Sequence, residues 1–411
     1  MKVALVLERF DPRRGGLEYW TCQLAGRLID RGHEVHVVAS RFAEPAGDLP
    51  IVAHPLPSAK SRLGFAEAAQ AELLSFAPDV IHDMGSGWYC DVFQPHGGSF
   101  AAMAQRKLLL YRRCLRPLKR RIDGMLPRHR QFRALMQRQY ADHGQVLLAL
   151  SRLVADDFQR LHRVPSDRIR IVYNGVDTNR FSPEHRPKFR RSVRRQLGIG
   201  DDTVCALIVA HDFRLKGLAT LLRAMRHLGN ESRPVHLTVV GGKRIAKWQR
   251  MARRLGVKSA VSFVGSQDDT VPYYAAADVY VHPTFYDSCS LVVLEAAACG
   301  LPVITTRLNG ASELFKDGVQ GWLLSDPTDA GLLASRMRTM LDDSLRQEMG
   351  RAARAAAAEH TFDRNVDEIL AVYEEAVSSR RTGGHAVRTS AARGLSLEFR
   401  PAGAQHQIRL P

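Results

Sequence analysis

The chain has 411 residues, 45% apolar and 25% charged, the balance of a soluble globular protein that is too long for one core, so two domains of roughly 180 residues each are expected. Its net charge of +17 is held unevenly: residues 106–138 contain twelve Lys/Arg and one acid, Asp123, and residues 380–411 contain six Arg and one Glu, leaving the remainder close to neutral. No stretch approaches the roughly eighteen apolar residues of a membrane span, and six scattered cysteines without a CxxC pair predict reduced thiols in a cytosolic protein and no structural zinc.

Residues 2–8 read as a first strand, too short for a signal peptide. The loop from Arg9 to Gly16 leads into a helix over about Leu17–Arg31, with Leu17, Trp20, Leu24 and Leu28 at helical spacing and Gly32 as its stop. A second strand, Glu34–Ala39, completes a βαβ unit whose glycine pair, Gly15-Gly16, lets backbone approach a ligand closely. Further α/β units follow at 51–56, 65–76 and 79–83, and the segment Val92–Pro95 leads into His96-Gly97-Gly98. A lone His at a strand end is more often a turn residue than a catalyst.

Residues 100–140 are helical, polar and basic, with Leu108, Leu109, Leu110, Tyr111, Leu115, Leu118, Ile122, Met125 and Leu126 interleaved. This is either a solvated arm or an amphipathic surface for anionic lipid. Nucleic acid would suit the charge, but no recognised binding motif accompanies it. After a strand at 146–151 and a helix to about His162, the stretch IRIVYNGVDTNRFSP (169–183) turns at Asn174-Gly175 and ends at Pro183, which marks a domain boundary.

The second half repeats the alternation. The strand Val204–Ala210 enters the loop HDFRLKG, which sets Arg214 and Lys216 at a strand's C-terminal end, where α/β sheets bind ligands. Two cations there can neutralise a leaving diphosphate, or they are simply solvent-facing. Strands at 236–242 and 261–265 precede HPTFYDSCSLVVLEAAACGLPVITT (282–306): a strand end, a polar loop from Asp287 to Ser290, a helix Leu291–Ala298 and a strand Val303–Thr306. Such a helix start offers free N–H groups and a positive dipole end to a phosphate. Asp287 and Glu295 flank it, although an acid pair alone also occurs by chance in a buried crossover. A last helix, about 362–379, carries Phe362, Val366, Ile369, Leu370 and Tyr373 as an apolar stripe, and residues 381–411 are Gly-, Arg- and Ala-rich and expected to be disordered.

The Asp287-x7-Glu295 pattern resembles the E-x7-E element of the retaining glycosyltransferases of family 4, with Asp for the usual Glu and Ser-Cys-Ser where a Gly-rich turn is common. GGLEYWTCQLAGRLIDRGHEVHVVAS and the NGVD…F.P stretch resemble that family as well, and the likeness runs through roughly residues 2–379. It implies an α/β fold of two Rossmann-like domains facing a cleft, the GT-B arrangement. Residues 1–180 would form the acceptor domain and 181–360 the nucleotide-sugar domain, with a helix at 361–380 crossing back to the first. In the family pattern Asp287 and His96 touch the donor sugar, Glu295 holds the ribose, and the backbone at Val264 contacts the base. Ser290, Leu291 and Val292 take the diphosphate, Lys216 with Arg214 neutralises it, and Gly15-Gly16 lines the cleft.

Within the family, the basic segment and VLLALSRLVADDFQRLH resemble the lipopolysaccharide core glucosyltransferase I group. That likeness implies UDP-glucose as donor, a lipopolysaccharide core as acceptor and a place on the inner face of the cytoplasmic membrane. No cofactor, metal or nucleic acid is expected: there is no D-x-D pair, and retention by transfer on one face of the sugar needs no carboxylate nucleophile of the glycosidase kind. Rival readings are a different hexosyl- or mannosyltransferase, an epimerase or a phosphorylase on the same fold, the last without a pyridoxal-phosphate lysine context, and a basic nucleic-acid-binding protein.

Overall fold

The computed structural model describes residues 1–43, 49–111, 113–125, 127–229, 231–242 and 244–381. Alternate residues of single strands decide its architecture. In the strand Lys2–Val6, Val3 and Leu5 pack with Leu24 and Leu28 of the helix Gly16–Asp30. Ala4 and Val6 of the same strand pack with Phe65, Ala69 and Leu73 of the helix Arg62–Phe76. The strand Val204–Val209 divides likewise, Ala206 and Ile208 facing one helical layer and Cys205 and Leu207 the other. Strands buried on both faces are the mark of parallel sheets covered by helices.

Two such sheets form. The first has seven strands in the order Val52–Pro55, Glu34–Ala39, Lys2–Val6, Val80–Asp83, Val92–Phe93, Val146–Ala149, Ile169–Ile171. The second has six, Val261–Gly265, Val235–Val240, Val204–Val209, Val279–His282, Val303–Thr306, Gly321–Leu324. All the pairings are parallel. These are two Rossmann-like domains, and they meet where the Gly15-Gly16 turn opens its helix: a Cβ on Gly16 would lie 3.3 Å from Leu291 Cδ1 of the second domain.

The helix Phe362–Arg381 returns to the first domain, where Val366, Ile369, Val372 and Tyr373 join the cluster built on Val3 and Leu5. Tyr373 Oη lies 2.7 Å from His82 Nδ1 in the interior. Of the stretch 381–411 expected to be disordered, Arg381 ends this helix and residues 382–411 lie outside the described residues.

The basic segment folds as the helices Phe100–Lys107, Arg116–Met125 and Pro127–Tyr140 with two short turns of 3-10 helix between the first two. Ala102 anchors its start against Leu215, Phe285 and Tyr286 of the second domain, and Leu135 anchors its end beside Ala66 and Trp88. Between the anchors, Leu115, Leu118, Ile122 and Met125 are 46%, 58%, 47% and 68% exposed. The spacing of Leu118, Ile122 and Met125, four and three residues, puts them on one face of the helix Arg116–Met125, and Leu115 ends the 3-10 turn just before it. Among the described residues no helix is long and apolar enough to cross a membrane.

Because the returning helix completes the first domain's core, trimming it should loosen that core. Ile369 is fully buried, and Ile369→Ala is expected to cost about 2–5 kcal/mol in denaturant-induced unfolding. A cost near zero would mean that the helix contributes no core.

Candidate active site

Two loops from neighbouring strand ends build the centre of the site. Phe285 N–H donates to Leu215 O at 2.9 Å and Thr284 Oγ1 donates to the same carbonyl at 3.3 Å. Gly217, at φ 77°, passes so close that a Cβ would sit 2.0 Å from Pro283 O, so only glycine fits. This clamp sets Lys216 Nζ 2.5 Å from Asp287 Oδ2, with His282 Nε2 3.4 Å from the same oxygen. Burial alone would push the Asp287 carboxyl up, but the Lys216 ammonium and His282 hold it well below its ordinary 3.8.

Four residues on, the helix Leu291–Ala298 begins, and the side chain of Ser290 just before it makes no cap hydrogen bond. The loop before it is fixed from outside. Ser290 N–H donates to Asn309 Oδ1 at 3.2 Å, Ser151 Oγ donates to Ser288 O at 2.7 Å, and Asn174 Nδ2 donates to Cys289 O at 2.7 Å. Ser288 Oγ donates in turn to His96 O. Gly310 permits this closeness, since a Cβ there would fall 1.8 Å from Ser288 O and 2.3 Å from Ser151 Oγ. The first-turn amides of Leu291 and Val292 have no intrahelical partner by the geometry of a helix start.

One turn further, Glu295 Oε2 accepts from Tyr274 Oη at 2.8 Å. Burial pushes its carboxyl from 4.5 up to about 7, against the Tyr274 hydrogen bond and the nearby Arg180 charge. Arg180 in turn donates to Tyr19 Oη at 3.0 Å, lies over that ring at 5.3 Å, and pairs with Asp269 at 3.6 Å. Tyr19 belongs to the Gly16–Asp30 helix, so the chain Tyr19–Arg180 runs from the first domain toward Glu295 in the second.

His96 follows the strand Val92–Phe93 with its ring 4.2 Å from that of Trp20. Its Nε2 is buried without a partner among the described residues, as is Trp20 Nε1. Burial and neighbouring His82 lower its pKa to about 3, which keeps the imidazole neutral. Gly98, at φ 67°, holds the turn against the second domain: a Cβ there would meet Tyr286 Oη at 2.3 Å. Thus Gly16, His96, Lys216, Asp287, Ser290 and Leu291 gather at the seam between the domains, with Glu295 one turn behind. Gly15 is the residue before the Gly16–Asp30 helix and has extended backbone. Val264 is partly buried in the edge strand Val261–Gly265. Arg214 is exposed and stands apart from the Lys216–Asp287 pair, over the Tyr111 ring at 4.7 Å. Among the described residues no three His, Cys, Asp or Glu side chains are grouped to hold a metal ion.

Comparison with known proteins gives this geometry a family. A model described as Glycosyltransferase Family 4 matches residues 14–180, and one described as Glycosyl transferases group 1 matches residues 189–356. A D-inositol 3-phosphate glycosyltransferase of Acidothermus cellulolyticus is 31% identical over 410 residues, covering 90% of this chain and 87% of its own. The chain is a family 4 glycosyltransferase. The lipopolysaccharide glucosyltransferase WaaG of Escherichia coli is 28% identical, covering 88% of this chain and 94% of its own. A WaaG crystal structure superposes with a TM-score of 0.75 at 25% identity, covering 93% of this chain and all of that one. Anabaena HepE in complex with UDP-glucose shares the fold at a TM-score of 0.66 and 20% identity, over 90% of this chain and 99% of that one.

Sequence reasoning about this glycosyltransferase passed over Tyr19, Arg180, Tyr274, Asn309 and the Ser151–Ser288 contact. Arg180 stood inside the NGVD…F.P stretch and Tyr19 inside the GGLEYW stretch, so both lay in segments already singled out. What was missing was the contact between them, across 161 residues of chain.

The raised carboxyl of Glu295 has a measurable consequence. Between about 4.5 and about 7 the folded glycosyltransferase keeps a proton that the unfolded chain has lost. The folded state therefore binds more protons in that window, and the site's contribution to stability falls as pH rises through it. Urea unfolding of wild type and Glu295→Gln across the window should show the mutant gaining roughly 1–3 kcal/mol relative to wild type. A stability difference that does not change with pH would contradict the raised value.

Proposed function

We propose that this glycosyltransferase is a retaining hexosyltransferase that moves glucose from UDP-glucose to a membrane-held glycolipid such as a lipopolysaccharide core, without metal or other cofactor. The observation that carries the reading is the convergence of the Lys216–Asp287 pair, neutral His96 and the uncapped helix start at Ser290–Leu291 on one seam. A departing diphosphate gains charge in the transition state, and Lys216 with the first-turn amides of Leu291 and Val292 would stabilise it there. Arg214 would join them by leaving Tyr111. The bond from the sugar C1 to the diphosphate oxygen breaks, the bond from C1 to the acceptor oxygen forms on the same face, and the acceptor proton passes to the departing phosphate. Asp287 and His96 would bind the sugar hydroxyls, Glu295 the ribose, and the backbone at Val264 the base, with Gly15-Gly16 giving the donor close access. HepE, solved with UDP-glucose, and WaaG, named a glucosyltransferase, support this choice of donor.

For the acceptor, the exposed stripe Leu115, Leu118, Ile122 and Met125 favours a lipid surface on the cytoplasmic side of the membrane. An anionic leaflet attracts each nearby Lys or Arg by about 1 kcal/mol, and insertion of the apolar face adds to that. The name of the Acidothermus relative supports a second reading, in which the acceptor is a soluble inositol phosphate.

Two experiments test the proposal. Lys216→Ala should lower turnover of UDP-glucose by about a hundredfold or more, as loss of a donor to a developing oxyanion does; turnover at the wild-type rate would remove Lys216 from the mechanism. The wild-type protein should co-sediment with anionic vesicles, less so at high salt, and not with neutral ones. Leu118→Asp combined with Ile122→Asp should abolish sedimentation while UDP-glucose binding is retained. Equal sedimentation of wild type and variant would leave the basic segment a solvated arm and favour the soluble acceptor.

A further inference from the structure

At the end of the second sheet opposite the active site lies a cavity of about 650 Å³. It sits where the strand Val279–His282 begins and the helix Leu291–Ala298 ends, and its lining includes six arginines against two carboxylates. Arg186 and Arg190, one turn apart, come from the helix Arg186–Leu197, and Arg346, Arg351 and Arg354 come from the helix Asp343–Ala358.

The carboxylates are already taken. Asp278 accepts from Arg190 at 2.7 Å, Arg194 at 3.1 Å and Arg186 at 3.4 Å. Asp343 accepts from Arg233 at 2.7 Å and also from Arg346. Arg354 spends its donors on the carbonyls of Ala298, Phe181 and Thr178. Arg351 has no partner among the described residues, and Arg186 has only its long contact to Asp278. The cavity therefore holds positive charge in excess: Arg186, Arg190 and Arg346 are half-buried, where charge is costly, and Arg351 stands exposed at the rim with its guanidinium donors unspent. Burial and the neighbouring Arg190 charge accordingly bring the Arg186 guanidinium below its ordinary value.

We propose that this cavity binds a small soluble anion of the phosphate class, a diphosphate or a phosphomonoester, at a site separate from the cleft. Its volume is that of a small-molecule site. Besides its charged residues and Gln347, its lining is only glycine and proline, with no branched or aromatic side chain to receive an acyl chain. Arg354 ties the end of the Leu291–Ala298 helix to Thr178 and Phe181 in the connection between domains, so the bound anion would lie against that tie.

Calorimetric titration of inorganic pyrophosphate into the full chain at physiological ionic strength tests the proposal. Wild type and Lys216→Ala should both show a saturable site. Arg351→Gln, which removes no contact within the protein, should weaken that site by about tenfold, and Arg186→Gln should do the same. Unchanged affinity in both arginine variants, each folded by its circular dichroism, would overturn the proposal. So would loss of all binding in Lys216→Ala, which would assign the anion to the cleft, or binding seen only with phosphatidate vesicles and not with pyrophosphate.

Discussion

Two hydrogen bonds across the seam, from Ser151 Oγ to Ser288 O and from Asn174 Nδ2 to Cys289 O, fix the loop on which the site depends. A helix start can offer its amides to a ligand only if the chain just before it is held still. Here Ser151 and Asn174 hold it from the other domain, while Asn309 holds Ser290 from within its own. The arrangement is reciprocal, because Glu313 of the second domain accepts from Arg152 N–H and Leu153 N–H, both at 2.8 Å, at the start of the first domain's helix Arg152–His162. Tyr173 Oη donates to the same carboxylate at 2.7 Å. Each domain thus satisfies polar backbone groups of the other, at about 0.5–1.5 kcal/mol per hydrogen bond and more where a carboxylate accepts. Gly310 and Gly98 are the steric conditions of that contact, since a side chain at either would push the domains apart.

Much of the fold was written in local pattern. Leu24 and Leu28 repeat at helical spacing, and the runs Val204–Val209 and Val235–Val240 are apolar throughout, as doubly buried strands must be. The helix Leu291–Ala298 was legible too, because Gly300 and Pro302 follow it as ordinary stop signals. Partnerships were not legible. Glu313 reads from the sequence only as part of a structural turn, and its partners are 161, 160 and 140 residues away. Arg214 and Lys216 read as twin cations on one loop, but the clamp at Leu215 sends one to Asp287 and the other to Tyr111. Spacing along a chain fixes which side chains share a face and says nothing of which distant element that face will meet.

The distribution of charge follows the same division between local and distant. Elsewhere in the molecule many arginines are matched with acids, as in Arg190 with Asp278 or Arg170 with Glu375. In the basic segment the Lys119–Asp123 pair is the lone match among the described residues. The arm is anchored at Ala102 and Leu135, with Leu109 and Leu110 packed beside the first anchor, and beyond them it keeps its charge and Leu115, Leu118, Ile122 and Met125 facing outward. Apolar residues exposed in a row on a helix are unusual on a protein that has folded around a large core. The anchors explain why they stay outside: both ends are committed to packing on the body of the enzyme, so the face between them has no core within reach.

The two acids at the start of the helix Leu291–Ala298, Asp287 before it and Glu295 within it, end in opposite electrostatic conditions. Both are withdrawn from solvent, and burial raises both. Asp287 has Lys216 and His282 against one oxygen and is held ionised far below its ordinary value. Glu295 has a tyrosine hydroxyl as its near partner, with Arg180 already engaged by Tyr19 and Asp269, and its carboxyl rises to about 7. A neutral hydroxyl offsets little of the desolvation that an ammonium offsets in full. One acid is therefore a fixed negative charge, while the other is poised to accept or donate a hydrogen bond near neutral pH. Seven residues of loop and helix separate them, and what divides their chemistry is which cation the fold leaves free to reach each one.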